Sequence, residues 1–73
     1  MIKNIGNNLD TKFYIENKLN TSDIIVQVQR ITNSEVVIPD ITIYEKVIVI
    51  EFSFIPSNEE FRVLIVKVDE FNY

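Results

Sequence analysis

Residues 41–54, ITIYEKVIVIEFSF, form the most continuously apolar stretch of the chain and contain no Gly, Ala or Pro. A tight turn at Glu45 and Lys46 divides this stretch into two strands. From Val47 to Phe54 the apolar pattern has a period of two, which is the period of side chains along a strand. On one face of this strand lie Ile48, Ile50, Phe52 and Phe54. On the other face lie Val47, Val49, Glu51 and Ser53. We predict that the first face belongs to the core and that this strand is central.

The remaining apolar runs have the lengths of strands that could lie beside the central one. We predict strands over 12–17, 24–31, 36–38, 41–44 and 61–68, with turns at 18–23 and 32–35. Thirteen Ile, nine Val and four Thr, with no Ala, favour strands over helices. Short strands between frequent turns predict an all-β fold, a small antiparallel β-sandwich of immunoglobulin-like or jelly-roll-like type. The predicted single domain spans 12–68, between an irregular N-terminal arm or attachment segment (1–11) and a polar C-terminal tail (69–73).

The predicted core takes one face from each strand. The last strand, 61–68, is apolar on both faces, so we expect it to be covered on both sides. Of its two faces we assign Leu64, Val66 and Val68 to the core. The full predicted core is Phe13, Ile15, Leu19, Ile24, Val26, Val28, Ile43, Ile48, Ile50, Phe52, Phe54, Leu64, Val66 and Val68.

The opposite faces of these strands are too apolar for a lone sandwich of 73 residues. Domains of this size bury little surface and usually depend on disulfides, a metal or a partner chain. The chain has no Cys and no His, which leaves the partner chain. We therefore predict a homo-oligomer. The predicted interface residues are Ile2, Ile5 and Leu9 of the arm and Val47, Val49, Val63 and Ile65 of the second strand faces.

Charge and composition argue against several classes of function. The formal net charge is −4, and Lys and Arg are scattered singly, so no basic stripe is present to neutralise a nucleic-acid backbone. No apolar run reaches the length of a membrane helix, and residues 1–10 lack the apolar region of a signal peptide. We therefore predict neither nucleic acid nor membrane as a partner.

The sequence offers little chemistry for catalysis. Without His or Cys, the serines have no His base to activate them, and the single Gly6 cannot build a phosphate-binding loop. We predict that the chain is not an enzyme and uses no cofactor or metal. Asp23 and Asp40 could converge on calcium, but their spacing is not that of an oxygen-ligand loop. The acidic pairs Glu59–Glu60 and Asp69–Glu70 are interpreted as solvated surface.

Two features leave alternatives open. Glu51 is interpreted as a rim or solvent-facing residue, and the alternative is a partner for Arg30 or Arg62. Four aromatic residues are interpreted as peripheral core, and the alternative is that they contact a partner. They are Tyr14, Tyr44, Phe71 and Tyr73.

The segment 15–28, IENKLNTSDIIVQV, resembles a β-sandwich module of tailed-phage fibre, appendage and head-decoration proteins. The common pattern of that module is I-x-H-N-L-x-T-x-D-V-I-V-Q-V. The matching residues are Ile15, Leu19, Thr21, Asp23, Ile25, Val26, Gln27 and Val28. Asn17 and Lys18 replace the His-Asn pair of the pattern.

The resemblance continues downstream and covers about residues 13–68. In order, the matching features are Thr32 and Glu35, then Val37, Pro39 and Asp40, then 47–54, Pro56, and finally Phe61, Arg62 and Val63. The resemblance implies a virion structural protein, a capsid-decorating or head-fibre subunit. It would be located in the virion, contact proteins such as the major capsid protein, and form a homo-oligomer in which a trimer is favoured.

Two other hypotheses remain. The first is a host-recognition module at a fibre tip, which would bind a surface glycan or protein and would be encoded within a fibre and receptor gene cluster. The second is a small inhibitor or regulatory protein, which would be a monomer with one acidic patch. An enzyme is the least favoured class.

Overall fold

The computed structural model describes residues 1–68. Seven strands run through this range: β1 (Ile2–Ile5), β2 (Lys12–Glu16), β3 (Ile24–Arg30), β4 (Val36–Val37), β5 (Asp40–Ile43), β6 (Val47–Glu51) and β7 (Phe61–Lys67). They form two antiparallel sheets, one with the order β1-β7-β3-β4 and the other with the order β2-β6-β5. The predicted all-β antiparallel sandwich is confirmed. Within the described range, no helix is long and apolar enough to span a membrane.

Strand β6 is the central strand of the three-stranded sheet, as predicted. Ile48 pairs with Ile15 and Ile43 on its two neighbours, and both Ile48 and Ile50 are fully buried. The strand ends at Glu51, however, and the chain bends at residues 53–54. The period of two therefore stops early. Phe52 is still buried, but Phe54 is 45% exposed, so its assignment to the core is wrong.

Strand β7 faces the core with the side that we assigned to the interface. Phe61, Val63 and Ile65 are buried, whereas Leu64 and Val66 are half-buried and Val68 is exposed. The prediction that Leu64, Val66 and Val68 form the core, with Val63 and Ile65 at an interface, is therefore wrong. Both faces of β7 are apolar, so only its neighbours distinguish them: Val63 pairs with the buried Val28, and Leu64 pairs with the exposed Gln27.

Residues 2–5 form an edge strand rather than part of an irregular arm. Strand β1 pairs antiparallel with β7, with Ile2 opposite Leu64 and Ile5 opposite Phe61. The pairing continues at the chain start, because the Met1 amino group donates to the Ile65 carbonyl. Ile5 is 6% exposed and belongs to the core of its own chain. It is therefore not available as an interface residue.

Aromatic rings join the two sheets at one end of the core. Phe52, which follows β6, stacks on Phe61 of β7 with ring centroids 4.7 Å apart and an interplanar angle of 18°. Phe13 meets Phe52 edge-on at 6.1 Å, and the Arg30 guanidinium lies 5.1 Å from the centroid of the Phe61 ring. Buried Ile and Val side chains from both sheets fill the rest. The core consists of Ile5, Ile15, Ile24, Val28, Ile48, Ile50, Phe52, Phe61, Val63 and Ile65, with Phe13, Leu19, Val26, Val37, Ile41 and Ile43 packed against it.

The only glycine of the chain lies where two loops touch. Gly6 has φ of 120°, and a Cβ atom on it would lie 2.1 Å from the Ser57 carbonyl oxygen. The Glu59 amide donates to the Gly6 carbonyl, and the Asn8 amide donates to the Pro56 carbonyl. A side chain at position 6 would therefore separate the β1–β2 loop from the β6–β7 loop.

The orientation of β7 can be tested with two nearly isosteric substitutions. Val63→Thr places a hydroxyl in the dry core, so we expect it to lower the free energy of unfolding by about 1–3 kcal/mol. Val66→Thr, on the half-buried outer face of the same strand, should lower it by less than Val63→Thr does. Urea unfolding followed by circular dichroism measures both. A larger loss for Val66→Thr than for Val63→Thr would show that the strand faces the other way.

Candidate functional site

The outer face of the three-stranded sheet carries a shallow groove of about 370 Å³. The strand pairing arranges its side chains in three rows across β2, β6 and β5. The rows are Lys12–Glu51–Asp40, Tyr14–Val49–Thr42 and Glu16–Val47–Tyr44, the last of them completed by the Tyr44 amide donating to the Val47 carbonyl at 2.9 Å. We call this surface the tyrosine groove. It is lined by Lys12, Tyr14, Asp40, Thr42, Tyr44, Val47, Val49 and Glu51.

Strand alternation places the two tyrosines on this face. In β2, Ile15 points into the core, so its neighbour Tyr14 points outward and is 68% exposed. Tyr44 follows β5 at the start of the hairpin turn and is 55% exposed. The interpretation of Tyr14 and Tyr44 as peripheral core is therefore wrong. Phe71 and Tyr73 lie outside the described residues.

The charged end of the groove has no internal ion pair. Within residues 1–68, the ion pairs closer than 4.0 Å join Arg30 to Glu35 and to Glu60, and Glu51 takes no part. The Arg62 guanidinium instead donates to the Gln29 side chain at 2.8 Å. The alternative that Glu51 pairs with Arg30 or Arg62 within the chain is therefore wrong, and its interpretation as an exposed residue is confirmed.

The outer face of the four-stranded sheet has a different character. Ile2 and Leu64 pair across β1 and β7, and Ile25 and Val66 pair across β3 and β7. Ile2 is 65% exposed and Ile25 is 50% exposed, while Leu64 and Val66 are half-buried. We call these four residues the apolar face. The side chains beside it are mostly uncharged: Asn4, Gln27, Gln29, Val36 and Arg62.

The seven predicted interface residues therefore lie in four different places. Val47 and Val49 are half-buried and form the floor of the tyrosine groove. Ile2 belongs to the apolar face, and Leu9 is 73% exposed in the β1–β2 loop. The structure does not bring these four residues together. The other three, Ile5, Val63 and Ile65, are buried in the core.

Asn17 was missed by the sequence analysis and is the one buried polar side chain among the described residues, at 1% exposure. Its amide nitrogen donates to the carbonyls of Thr21 and Tyr44, at 2.8 and 3.0 Å. Its oxygen accepts from the Leu19 amide at 3.2 Å. Asn17 therefore joins the β2–β3 loop to the β5–β6 hairpin. Its position after a strand and before a turn was the available signal, because Asn commonly bonds to backbone there.

Asp23 and Asp40 were considered for calcium in the sequence analysis, where no metal site is predicted. In residues 1–68, no group of three or more His, Cys, Asp or Glu side chains lies close enough to hold a metal ion. Asp40 lies on β5 at the charged end of the tyrosine groove, and Asp23 immediately precedes β3.

Comparisons with family models, with curated proteins and with solved structures find no match for this chain.

The structural role of Asn17 can be tested by Asn17→Asp. A carboxylate has the same shape but cannot donate to the Thr21 and Tyr44 carbonyls, so we expect the free energy of unfolding at pH 7 to fall by about 2 kcal/mol or more. Asn58→Asp is a matched control, because Asn58 is exposed. Urea titrations of both variants measure the difference.

The pH dependence of the Asn17→Asp variant gives a second measurement. The buried site favours the neutral carboxyl, which raises its folded-state pKa above the unfolded value. The decrease in the free energy of unfolding should therefore be largest above the pKa of the carboxyl in the folded state. It should become smaller as the pH falls toward the pKa of the same group in the unfolded state. Equal unfolding free energies for the two variants at pH 7 would show that Asn17 does not hold the loops.

Proposed function

We propose that this chain is a non-enzymatic structural subunit of a virion, a capsid-decorating or head-fibre protein that acts through protein–protein contacts. The observation that carries the proposal is the apolar face, which gives a single small domain an exposed surface suited to a second copy. The resemblance of residues 13–68 to a module of tailed-phage fibres, appendages and head decorations supports the virion as its location.

The composition of the apolar face suits contact between subunits. The partly exposed Ile2, Ile25, Leu64 and Val66 lie on adjacent strands, so one contact removes all four from water. Uncharged Gln27 and Gln29 adjoin them, and amides are less costly to desolvate than ions. Within residues 1–68, the one charge beside this face is Arg62, which donates to the Gln29 side chain. The tyrosine groove, with Lys12, Asp40 and Glu51, would require three charges to be desolvated. The apolar face is therefore the better surface for a homo-oligomer.

A homo-oligomer would also supply stability that a domain of this small size lacks. The core contains only ten buried apolar side chains among the described residues, and neither disulfides nor metal ligands of the Cys or His type are present in the sequence. Burial between subunits adds stability that depends on concentration. We favour a trimer because the resembling module builds symmetric appendages, and closed symmetry is common in repeated subunits. The oligomer would attach to a larger protein such as the major capsid protein.

A second candidate function is host recognition at a fibre tip. The specific observation in its favour is the pair of exposed tyrosines on opposite flanks of one groove. Tyrosine is enriched at recognition surfaces because its ring offers apolar area and its hydroxyl offers a hydrogen bond. The two functions use opposite faces of the sandwich and are therefore compatible in one subunit.

The proposed interface can be tested with one charge placed on each face. Ile25→Lys introduces a charge into the apolar face, so we expect the mass measured by light scattering at low micromolar concentration to fall to that of a monomer. Val49→Lys introduces the same charge in the tyrosine groove and should leave the oligomeric mass unchanged. Melting curves of both variants verify that each remains folded.

Three outcomes would contradict the assignment. If the wild-type protein is a monomer that stays folded on dilution, the proposal of a homo-oligomer is wrong. If Val49→Lys dissociates the oligomer and Ile25→Lys does not, the subunit interface lies at the tyrosine groove and not at the apolar face. Mass spectrometry of purified particles in which the chain is not detected would contradict the virion function, whereas a fixed copy number relative to the major capsid protein would support it.

A further inference from the structure

We propose that the tyrosine groove is a binding site for a neutral, hydroxyl-rich glycan chain. This inference rests on the second candidate function, recognition through the same groove, and names its ligand class. It does not depend on the structural role of the apolar face. It rests on the combination of two exposed tyrosines, an apolar floor and two carboxylates that form no ion pair within residues 1–68.

The two tyrosines provide stacking surfaces at a separation suited to an extended ligand. Tyr14 lies on the edge strand β2, and Tyr44 directly follows the other edge strand, β5, one row further along the strand direction. Standard strand spacing and rise place their Cα atoms roughly 12 Å apart. The distance exceeds one sugar ring, so the two rings would contact different residues of one oligosaccharide. Between them, the half-buried Val47 and Val49 form a floor without charge.

The polar end of the groove supplies the hydrogen bonds that a sugar requires. Carboxylates accept hydrogen bonds from hydroxyl groups, and such bonds are strengthened by the charge. Glu51 and Asp40 have no ion pair within residues 1–68, so both are available as acceptors. Lys12 can donate, and the Thr42 hydroxyl can do both. Lys12, Glu51 and Asp40 form the row at one end of the groove, and Thr42 lies in the next row, across Val49 from Tyr14.

The charge of this face selects a neutral ligand over an acidic one. The lining of the groove contains two carboxylates (Asp40 and Glu51) and one cation (Lys12), a formal charge of 1 − 2 = −1, and Glu16 adds a third carboxylate beside it. Sialylated, sulfated or phosphate-bearing chains would be repelled by this charge. A neutral glycan meets no such repulsion.

The size of the groove selects a small or chain-like ligand over a folded protein. Its volume of about 370 Å³ lies within the usual range of small-ligand sites. A stable protein contact instead needs roughly 800 Å² from each partner, with few charges at its centre. The tyrosine groove has charged side chains along one whole row, Lys12–Glu51–Asp40.

The probe for the first experiment is a printed array of neutral gluco-, manno-, galacto- and N-acetylhexosamine oligosaccharides together with sialylated, sulfated and uronic-acid chains. We expect the wild-type protein to bind at least one neutral oligosaccharide and none of the acidic chains. Retention of acidic chains alone, or of no neutral glycan at millimolar concentration, would overturn the proposal.

Variants then locate the site by calorimetric titration with the best neutral oligosaccharide. Tyr14→Ala and Tyr44→Ala should each weaken binding by about tenfold or more, and Tyr14→Phe should retain most of it, because stacking uses the ring. Ile38→Ala is the control, since Ile38 is 94% exposed and outside the groove. Equal affinity of the wild type and both alanine variants would overturn the assignment.

A conservative variant keeps the test valid if an alanine variant fails to fold. Glu51→Gln preserves shape and removes the charge, so we expect a several-fold loss of affinity. Glu45→Gln in the exposed hairpin turn is its matched control and should bind as the wild type does. If the Ile25→Lys variant still binds the oligosaccharide, glycan binding does not require the proposed subunit interface. The glycan site and the oligomer can then be tested independently of each other.

Discussion

The stack of Phe52 on Phe61 is the contact on which the two sheets depend. Phe52 extends from the end of the three-stranded sheet, and Phe61 begins β7 in the four-stranded sheet, so their rings, 4.7 Å apart, connect the two layers directly. Phe61 also pairs with Ile5 on one side and with Arg30 on the other. Its position therefore fixes which face of β1, β7 and β3 points inward. Once that is fixed, Val63 and Ile65 enter the core, and Leu64 and Val66 are left outside.

The parts of the fold that the sequence predicted correctly are those in which polar residues mark one face. In β6, Glu51 reveals the outer face, and in β3, Gln27 does the same, so Ile48, Ile50 and Val28 were assigned to the core correctly. Strand β7 offers apolar residues on both faces, and a period of two cannot choose between them. Only the pairing of β7 with β3 determines which face of β7 points into the core. The short β1 was missed because its stability comes from pairing with β7, a contact across about sixty residues of sequence.

The candidate site could be predicted only in fragments. Val47 and Val49 were recognised as an apolar second face, and Glu51 as the odd charge within it, because all three lie in one strand. Tyr14 and Tyr44 lie far apart in sequence, and the register of β2 and β5 against β6 is what places them on the same surface. Asn17 was missed for a related reason. One of its acceptors, the Tyr44 carbonyl, is 27 residues away and becomes its neighbour only when the two loops meet.

The difference in charge between the two outer faces allows both to act in one small subunit. A face of Ile, Leu and Val beside Gln is stabilised by exclusion of water, whereas a face with Lys12, Asp40 and Glu51 keeps its water until a polar ligand replaces it. An exposed groove without enclosing walls binds one ligand weakly, since little of the ligand surface is buried. An oligomer formed through the apolar face would present several grooves to one glycan-covered surface. The second and later contacts then become intramolecular, so avidity supplies the affinity that a single shallow groove lacks.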